Sequence, residues 1–229
     1  ALGRYRSLYS LLKTLMSAFD FKREYRDLYL PKAKPSIIEV PEMIFIMVDG
    51  QGNPNTCAAY KNALEILYGL SYSIKMSKLG AAQPEGYFDY VVPPLEGLWS
   101  VADETYSGGS IPDKDKFIWT SMIRQPEFVT PDVFASAKKA LEKKKPELDT
   151  SIARLERFTE GLCGQVLHTG PYDDEPATIQ LLRQFIAASG YIEDLSGPRR
   201  HHEIYLSDPR RVAPEKLKTV IRYPLAHRK

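Results

Sequence analysis

The chain has almost no cysteine: Cys57 and Cys163 are the only two in 229 residues, and neither belongs to a CxxC pair. That scarcity excludes a disulfide scaffold and a structural zinc module. Two buried or half-buried thiols are expected instead, in a cytoplasmic protein. A dominant charge is lacking as well. The 31 Lys and Arg against 29 Asp and Glu leave a net charge of +2, too little to steer the chain to nucleic acid or an anionic membrane. No segment approaches the roughly 18 consecutive apolar residues of a spanning helix, so no membrane partner is expected. Cofactor motifs are also missing. Gly50 and Gly52 form a lone GxG without a third glycine or a following Lys-Ser/Thr pair, and a turn that needs positive φ accounts for both. His168, His201 and His202 have no third residue at ligand spacing, so no metal is expected.

What is present is an ordinary globular balance, 43% hydrophobic and 26% charged, in a length that suits one large domain or two small modules sharing a core. The unusual count is 14 Tyr. Tyrosine joins a flat apolar ring to a polar tip, which suits a pocket for an aromatic or cationic guest. Half-burial on strands, where Tyr is favoured, is the alternative.

Along the chain, Leu8, Leu11, Leu12 and Leu15 are spaced for a short amphipathic helix. The other reading of residues 1–15 is an upstream extension ahead of a start at Met16. Residues 19–35, with Phe19, Phe21, Tyr25 and Tyr29, suggest a helix or loop pinned to the body by its aromatics. A β-branched strand is expected over 36–48, bent or at an edge at Pro41. After a turn at 49–54, Asn55 or Thr56 caps a helix running to about Lys78, with Ala59, Leu64, Leu67 and Ile74 on its apolar stripe. Strands follow at 86–92 and 116–123, with a polar surface loop at 103–116 between them. Thr130-Pro131-Asp132 opens a helix. Its lysines, up to Lys143–Lys145, are a solvated face diluted by Glu142 and Glu147, not a nucleic-acid surface.

The second half repeats this order. A strand over 156–171, a Gly/Pro turn, a helix from Ala177 to about Ser189 ended by Gly190, and strands at 202–207 and 218–223 match strand, helix, strand, strand in the first half. The chain therefore divides into a lead-in (1–35), a first module (36–125), a connecting helix (130–147) and a second module (154–225). Two such units can lay their antiparallel sheets side by side with helices on one face and a groove on the other. This is an α+β architecture.

The segment Arg199-Arg-His-His-Glu-Ile-Tyr-Leu-Ser-Asp208 alternates as a strand. Ile204 and Leu206 face a core, while Glu203 and Tyr205 face either solvent or a cavity. On the residues alone, Glu203 could equally pair with Arg199 or Arg200 at the surface. Trp99 and Trp119 could be core anchors, and Glu96 could close the turn before Trp99.

His201-His-Glu-Ile-Tyr-Leu-Ser-Asp-Pro-Arg-Arg211, with Ala213-Pro-Glu-Lys-Leu-Lys-Thr219, resembles the closing signature of the GyrI-like small-molecule-binding family. Pro94-Leu-Glu-Gly-Leu-Trp99 resembles its central motif, and Val166-Leu-His-Thr-Gly-Pro-Tyr172 the opening of its second repeat. The similarity covers residues 19–229. It implies tandem strand–helix–strand–strand (SHS2-type) modules and a pocket for bulky aromatic or cationic compounds. Residues 1–35 do not resemble the helix-turn-helix of the family's regulators, so the resemblance is to a stand-alone member. Some such members resemble hydrolases that open the cyclopropane of cyclopropanoid DNA-alkylating compounds. The resemblance then implies Glu203 as the base, Tyr172 and Tyr205 as hydrogen-bond donors, and Trp99, Trp119, Tyr87, Phe88, His168 and His201 around the ligand. A sequestering drug binder, or a protein that protects a topoisomerase by contact, are the alternatives.

Overall fold

A computed structural model describes residues 17–79, 83–101 and 113–228. Residues 1–15, and most of the loop expected at 103–116, lie outside the described residues.

The sheet is built from two unusually long strands and four shorter ones. β2 (Ser36–Gln51) and β6 (Ala153–Thr169) run antiparallel along most of their length. Their ladder keeps one register from Ser36 opposite Gln165 to Val48 opposite Ala153, and Pro41 is the one residue within it left without a partner, as its missing N–H requires. Gly161, at φ +73°, supplies the kink on the other strand. The expected bend at Pro41 is thus a bend within one continuous strand.

Between these long strands the order is β6-β2-β5-β4-β8-β9, with β5 at Phe117–Gln125, β4 at Leu95–Val101, β8 at His201–Tyr205 and β9 at Lys218–His227. β9 pairs back onto β6, which closes an all-antiparallel barrel. α3 (Ala58–Lys75) follows β2, and α5 (Glu175–Ala188) follows β6; both pack on the outside of the barrel. The order β2-α3-β4-β5 is repeated as β6-α5-β8-β9, which is the tandem-module α+β fold. α4 (Pro131–Lys144) joins the halves, with Thr130 Oγ1 accepting the Val133 N–H as its cap. A short β7 (Tyr191–Glu193), which the sequence pattern does not announce, pairs with the end of β9.

Two segments depart from expectation. The stretch 86–92 is not the module's third element; only β3 (Tyr90–Val91) is regular there, paired in parallel with β1 (Phe19–Asp20). Phe88 and Tyr90 instead join a ring cluster with Phe19, Phe21 and Phe128, beside the short turns α1 (Phe21–Glu24) and α2 (Arg26–Tyr29). Pro93 and Pro94, which lack N–H donors, separate this segment from the true strand β4. The second departure is at α3, whose N-cap is Cys57 without a side-chain bond. Asn53 organises the preceding turn instead, accepting from Thr56, Cys57 and Asn55. Ala59 is exposed, and the buried stripe runs through Ala63, Ile66, Leu67, Leu70 and Ile74.

Residues paired across neighbouring strands share a side of the sheet. Leu98, His202 and Arg222 therefore line the barrel interior, as do Glu96, Ile204 and Val220. Inside, the His202 ring lies between two carboxylates, Nε2 3.0 Å from Glu96 and Nδ1 3.0 Å from Glu160. Arg222 donates to Glu160 (3.1 Å), to Gln165 and to the Leu28 carbonyl, and Tyr29 donates to Glu96. The lead-in segment is thereby tied to the barrel. Burial alone would discharge His202, but the Glu160 charge and the bonds to Glu160 and Glu96 outweigh it and hold the ring up to about 9. Burial likewise opposes the charge on Glu160, yet His202 and Arg222 bring its carboxyl down to about 2.

Two outcomes are expected. Arg222→Met leaves the buried Glu160 charge to His202 alone and should lower unfolding stability by about 3–5 kcal/mol, read from urea midpoints; an unchanged midpoint would show the network to be dispensable. The ordinary His202 value of 6.5 is raised to about 9 in the fold. Its contribution is therefore complete below about 6.5 and lost as pH rises through about 9. His202→Gln should flatten that alkaline limb of the pH–stability curve.

Candidate functional site

On the opposite side of the same strand, the period of two presents His201, Glu203 and Tyr205 to the helix-bearing face. Glu203 and Tyr205 floor a cavity of about 1000 Å³ between α3 and α5. The groove therefore lies on the helix side of the sheet, not on the face away from the helices. The reason is the closure of the barrel, which turns that other face into a filled interior.

Glu203 is held from three directions. His201 Nε2 lies 2.7 Å from its Oε1, and Tyr205 donates to Oε2 at 2.7 Å. The third neighbour is Glu175, the first residue of α5, which hydrogen-bonds the Glu203 carboxylate. Burial disfavours a charge on either carboxyl. At Glu203 the bond and the electrostatic attraction of His201, with the bonds from Tyr205 and Glu175, more than offset it and hold this carboxyl below its ordinary range. At Glu175 the Thr219 hydroxyl offers one favourable bond, but burial first and then the Glu203 charge outweigh it and raise the carboxyl well above its usual range. The two carboxyls are therefore pushed in opposite directions, Glu203 toward its ionised form and Glu175 toward its neutral one.

Trp99 extends the chain of bonds by donating its indole N–H to Tyr205 Oη at 3.0 Å. That contact depends on Gly97, which stands opposite Glu203 in the ladder. A Cβ there would come within 2.7 Å of Trp99 Nε1 and 3.3 Å of Tyr205 Oη. Glycine thus lets the indole fold back along its own strand. Tyr172 closes the other side, its ring edge-on to Tyr205 at 5.8 Å. Burial and then the Glu203 charge push its phenol up to about 12, so it remains a hydrogen-bond donor at neutral pH. The remaining wall is a row on α3, Tyr60, Leu64, Tyr68 and Tyr72, whose spacing of four puts all of them on one helix face.

The other expected site residues are placed elsewhere. Trp119 is buried behind the wall, lying over Gly50 and meeting the Tyr60 ring edge-on at 4.9 Å. Tyr87 packs against Phe128 and donates to the Lys75 carbonyl, and Phe88 sits in the cluster with Phe19. Neither lines the cavity, because the segment carrying them is not the strand beside β8. His168 bonds Thr178 and the Pro171 carbonyl, stapling the turn that bears Tyr172 to α5. His201 is fully buried behind Glu203 and reaches the cavity only through that carboxylate.

Tyr60, Tyr68, Tyr72 and Glu175 are absent from the expected site. The four-residue spacing of the α3 row was a readable signal. So was Pro176, a favoured first-turn proline that places the start of α5 at Glu175 and not at Ala177. Glu175, His201 and Glu203 bring donor atoms within 4.8 Å of one another, a set that could be offered to a metal ion. Their bonds to one another and to Tyr205 are those of a cluster sharing protons. No helix among the described residues is long and apolar enough to cross a membrane.

The model of the GyrI-like small molecule binding domain matches residues 33–226, and the chain belongs to that family. A hydrolase from Listeria innocua is 47% identical, with a TM-score of 0.82, covering 91% of this chain and all of that one. An uncharacterized conserved protein from the same organism is also 47% identical, with a TM-score of 0.86 over the same shares of both chains. No curated sequence matches the chain.

The geometry predicts that Gly97→Ala expels the Trp99 indole from its bond to Tyr205. Trp99 fluorescence should shift and aromatic-ligand affinity should fall by about tenfold, the equivalent of one lost hydrogen bond of roughly 1–1.5 kcal/mol. An unaltered emission spectrum and affinity would show that Trp99 does not need that seat.

Proposed function

We propose that the protein binds flat aromatic electrophiles in this cavity and hydrolyses those carrying a strained cyclopropane conjugated to a dienone. The observation that carries the reading is a carboxylate, Glu203, fixed by His201, Tyr205 and Glu175 on the floor of an aromatic-walled cavity, where these bonds favour its ionised form. A compound of several fused rings fits a space of about 1000 Å³.

The reaction needs few groups. Glu203 removes a proton from water, and the water oxygen attacks the unsubstituted cyclopropane carbon. The breaking C–C bond sends its electron pair into the dienone, which becomes a phenolate and then takes up a proton. Tyr172, kept as a phenol, donates a hydrogen bond to the oxygen on which that charge develops. Tyr205 holds the Glu203 carboxylate in aim. Trp99 and the α3 tyrosines stack on the flat rings. The likeness to a protein named a hydrolase supports turnover, and membership of a small-molecule-binding family supports the binding step.

Incubation with a cyclopropanoid DNA-alkylating compound and mass spectrometry of that compound provides the test. A gain of one water is expected, and Glu203→Gln should lose at least about 100-fold in rate while still retaining the compound, in keeping with the usual worth of a general base. A compound that co-purifies with the wild-type protein unchanged would make it a sequestering binder. Glu203 would then be a counter-ion and not a base.

A further inference from the structure

Glu175 is fully enclosed, yet its carboxyl borders the cavity next to Glu203. Such pairing of two carboxyls in a low-dielectric site leaves room for only one negative charge. The partners around Glu175 can be enumerated. From β8 come His201, Glu203 and Tyr205; from β9 comes the Thr219 hydroxyl. Its own turn brings Tyr172 and Asp173, the latter ion-paired to Lys114 at 3.2 Å. Asp208 and Arg210, paired with each other, stand at the mouth. Among the described residues, the main influences on Glu175 and Glu203 include no Lys or Arg. The His201 imidazole gives its hydrogen bond and its electrostatic support to Glu203, whereas Glu175 faces the Glu203 charge.

From this geometry we propose that Glu175 and Glu203 share a single proton in the ligand-free protein, and that a cationic aromatic guest displaces it to solvent. The proposal rests on the cavity being the ligand site. A positive charge seated above Tyr205 supplies the compensation that the protein withholds from Glu175. The Glu175 O–H then ionises, the proton passes to water or buffer, and the floor changes from one negative charge to two. A neutral guest of the same shape offers no such compensation and leaves the proton in place. The cavity thus sets its own charge to suit its guest, and Glu175 is the residue that determines preference for cations over neutral isosteres. By linkage, the effect is reciprocal: raising pH favours the cation, and binding the cation favours loss of the proton.

Two measurements test it. With 13C-labelled glutamate in the ligand-free protein, the Glu175 carboxyl carbon should have the protonated shift at pH 7 and Glu203 the ionised one, with assignments from Glu175→Gln and Glu203→Gln. Two ionised carboxylates at pH 7 would overturn the shared proton. Calorimetry then compares 10-methylacridinium with acridine, its neutral counterpart, above pH 7 in two buffers of different ionisation enthalpy. Up to one proton should be released per methylacridinium bound. Its affinity should rise by as much as about tenfold per pH unit, while acridine affinity stays flat. Glu175→Gln should bind both with no proton release. Buffer-independent heats for methylacridinium would overturn the displacement. Binding of neither compound would defeat the ligand-site reading and the displacement together, leaving the carbon titration to decide the shared proton alone.

Discussion

A protonated imidazole held between two carboxylates is the constraint around which this protein is arranged. His202 bridges Glu96 of β4 and Glu160 of β6, and Arg222 of β9 completes the balance. Four strands of one barrel, from both repeats, meet in these contacts. Burying four charges is costly, and such a network adds little net stability relative to an apolar core. What it does is restrict the alternatives. A one-residue slip of β8 would swing His202 out of the barrel and bring His201 and Glu203 in, leaving Glu160 and Glu96 without the imidazole that bridges them. The register that serves the interior is therefore also the register that delivers Glu203 to the cavity.

That back-to-back arrangement explains how much was legible in the sequence. Alternation in His201–Leu206 shows that Glu203 and Tyr205 share a face, and the repeat of strand, helix, strand, strand announces the tandem modules. The sheet's closure is not written in any single strand. It follows from β9 pairing with both β8 and β6, a long-range event that periodicity does not record, and it decides which face carries the groove. The aromatic run at 86–92 reads as a strand because period-two patterns and ring clusters use the same residues. Only the two prolines after it mark the break.

Within the site, residues on β8 and β4 were legible through their motifs, while those on the helices left only a spacing of four and a first-turn proline. Tyr60, Tyr68 and Tyr72 resemble any half-buried tyrosines until α3 is seated over the sheet. Glu175 looks like one more acid in an Asp-Asp-Glu turn. Its character comes from enclosure beside Glu203, which is a property of how α5 packs on β8 within the second module. Trp119 shows the converse. A large aromatic near the site can act as a buttress, holding Tyr60 in place from behind without touching the cavity.

The cavity has one wall that no ladder hydrogen bond constrains. Its floor is shared with the barrel through β8 and β4, so changes there disturb both sides of the sheet. The α3 row stands apart: Tyr68 and Tyr72 are largely exposed and belong to a helix whose buried stripe faces elsewhere. Ligand range can therefore drift by substitution along one helix edge, while the chemistry beneath stays fixed. A single scaffold of this kind can be retuned to many flat toxins without being refolded.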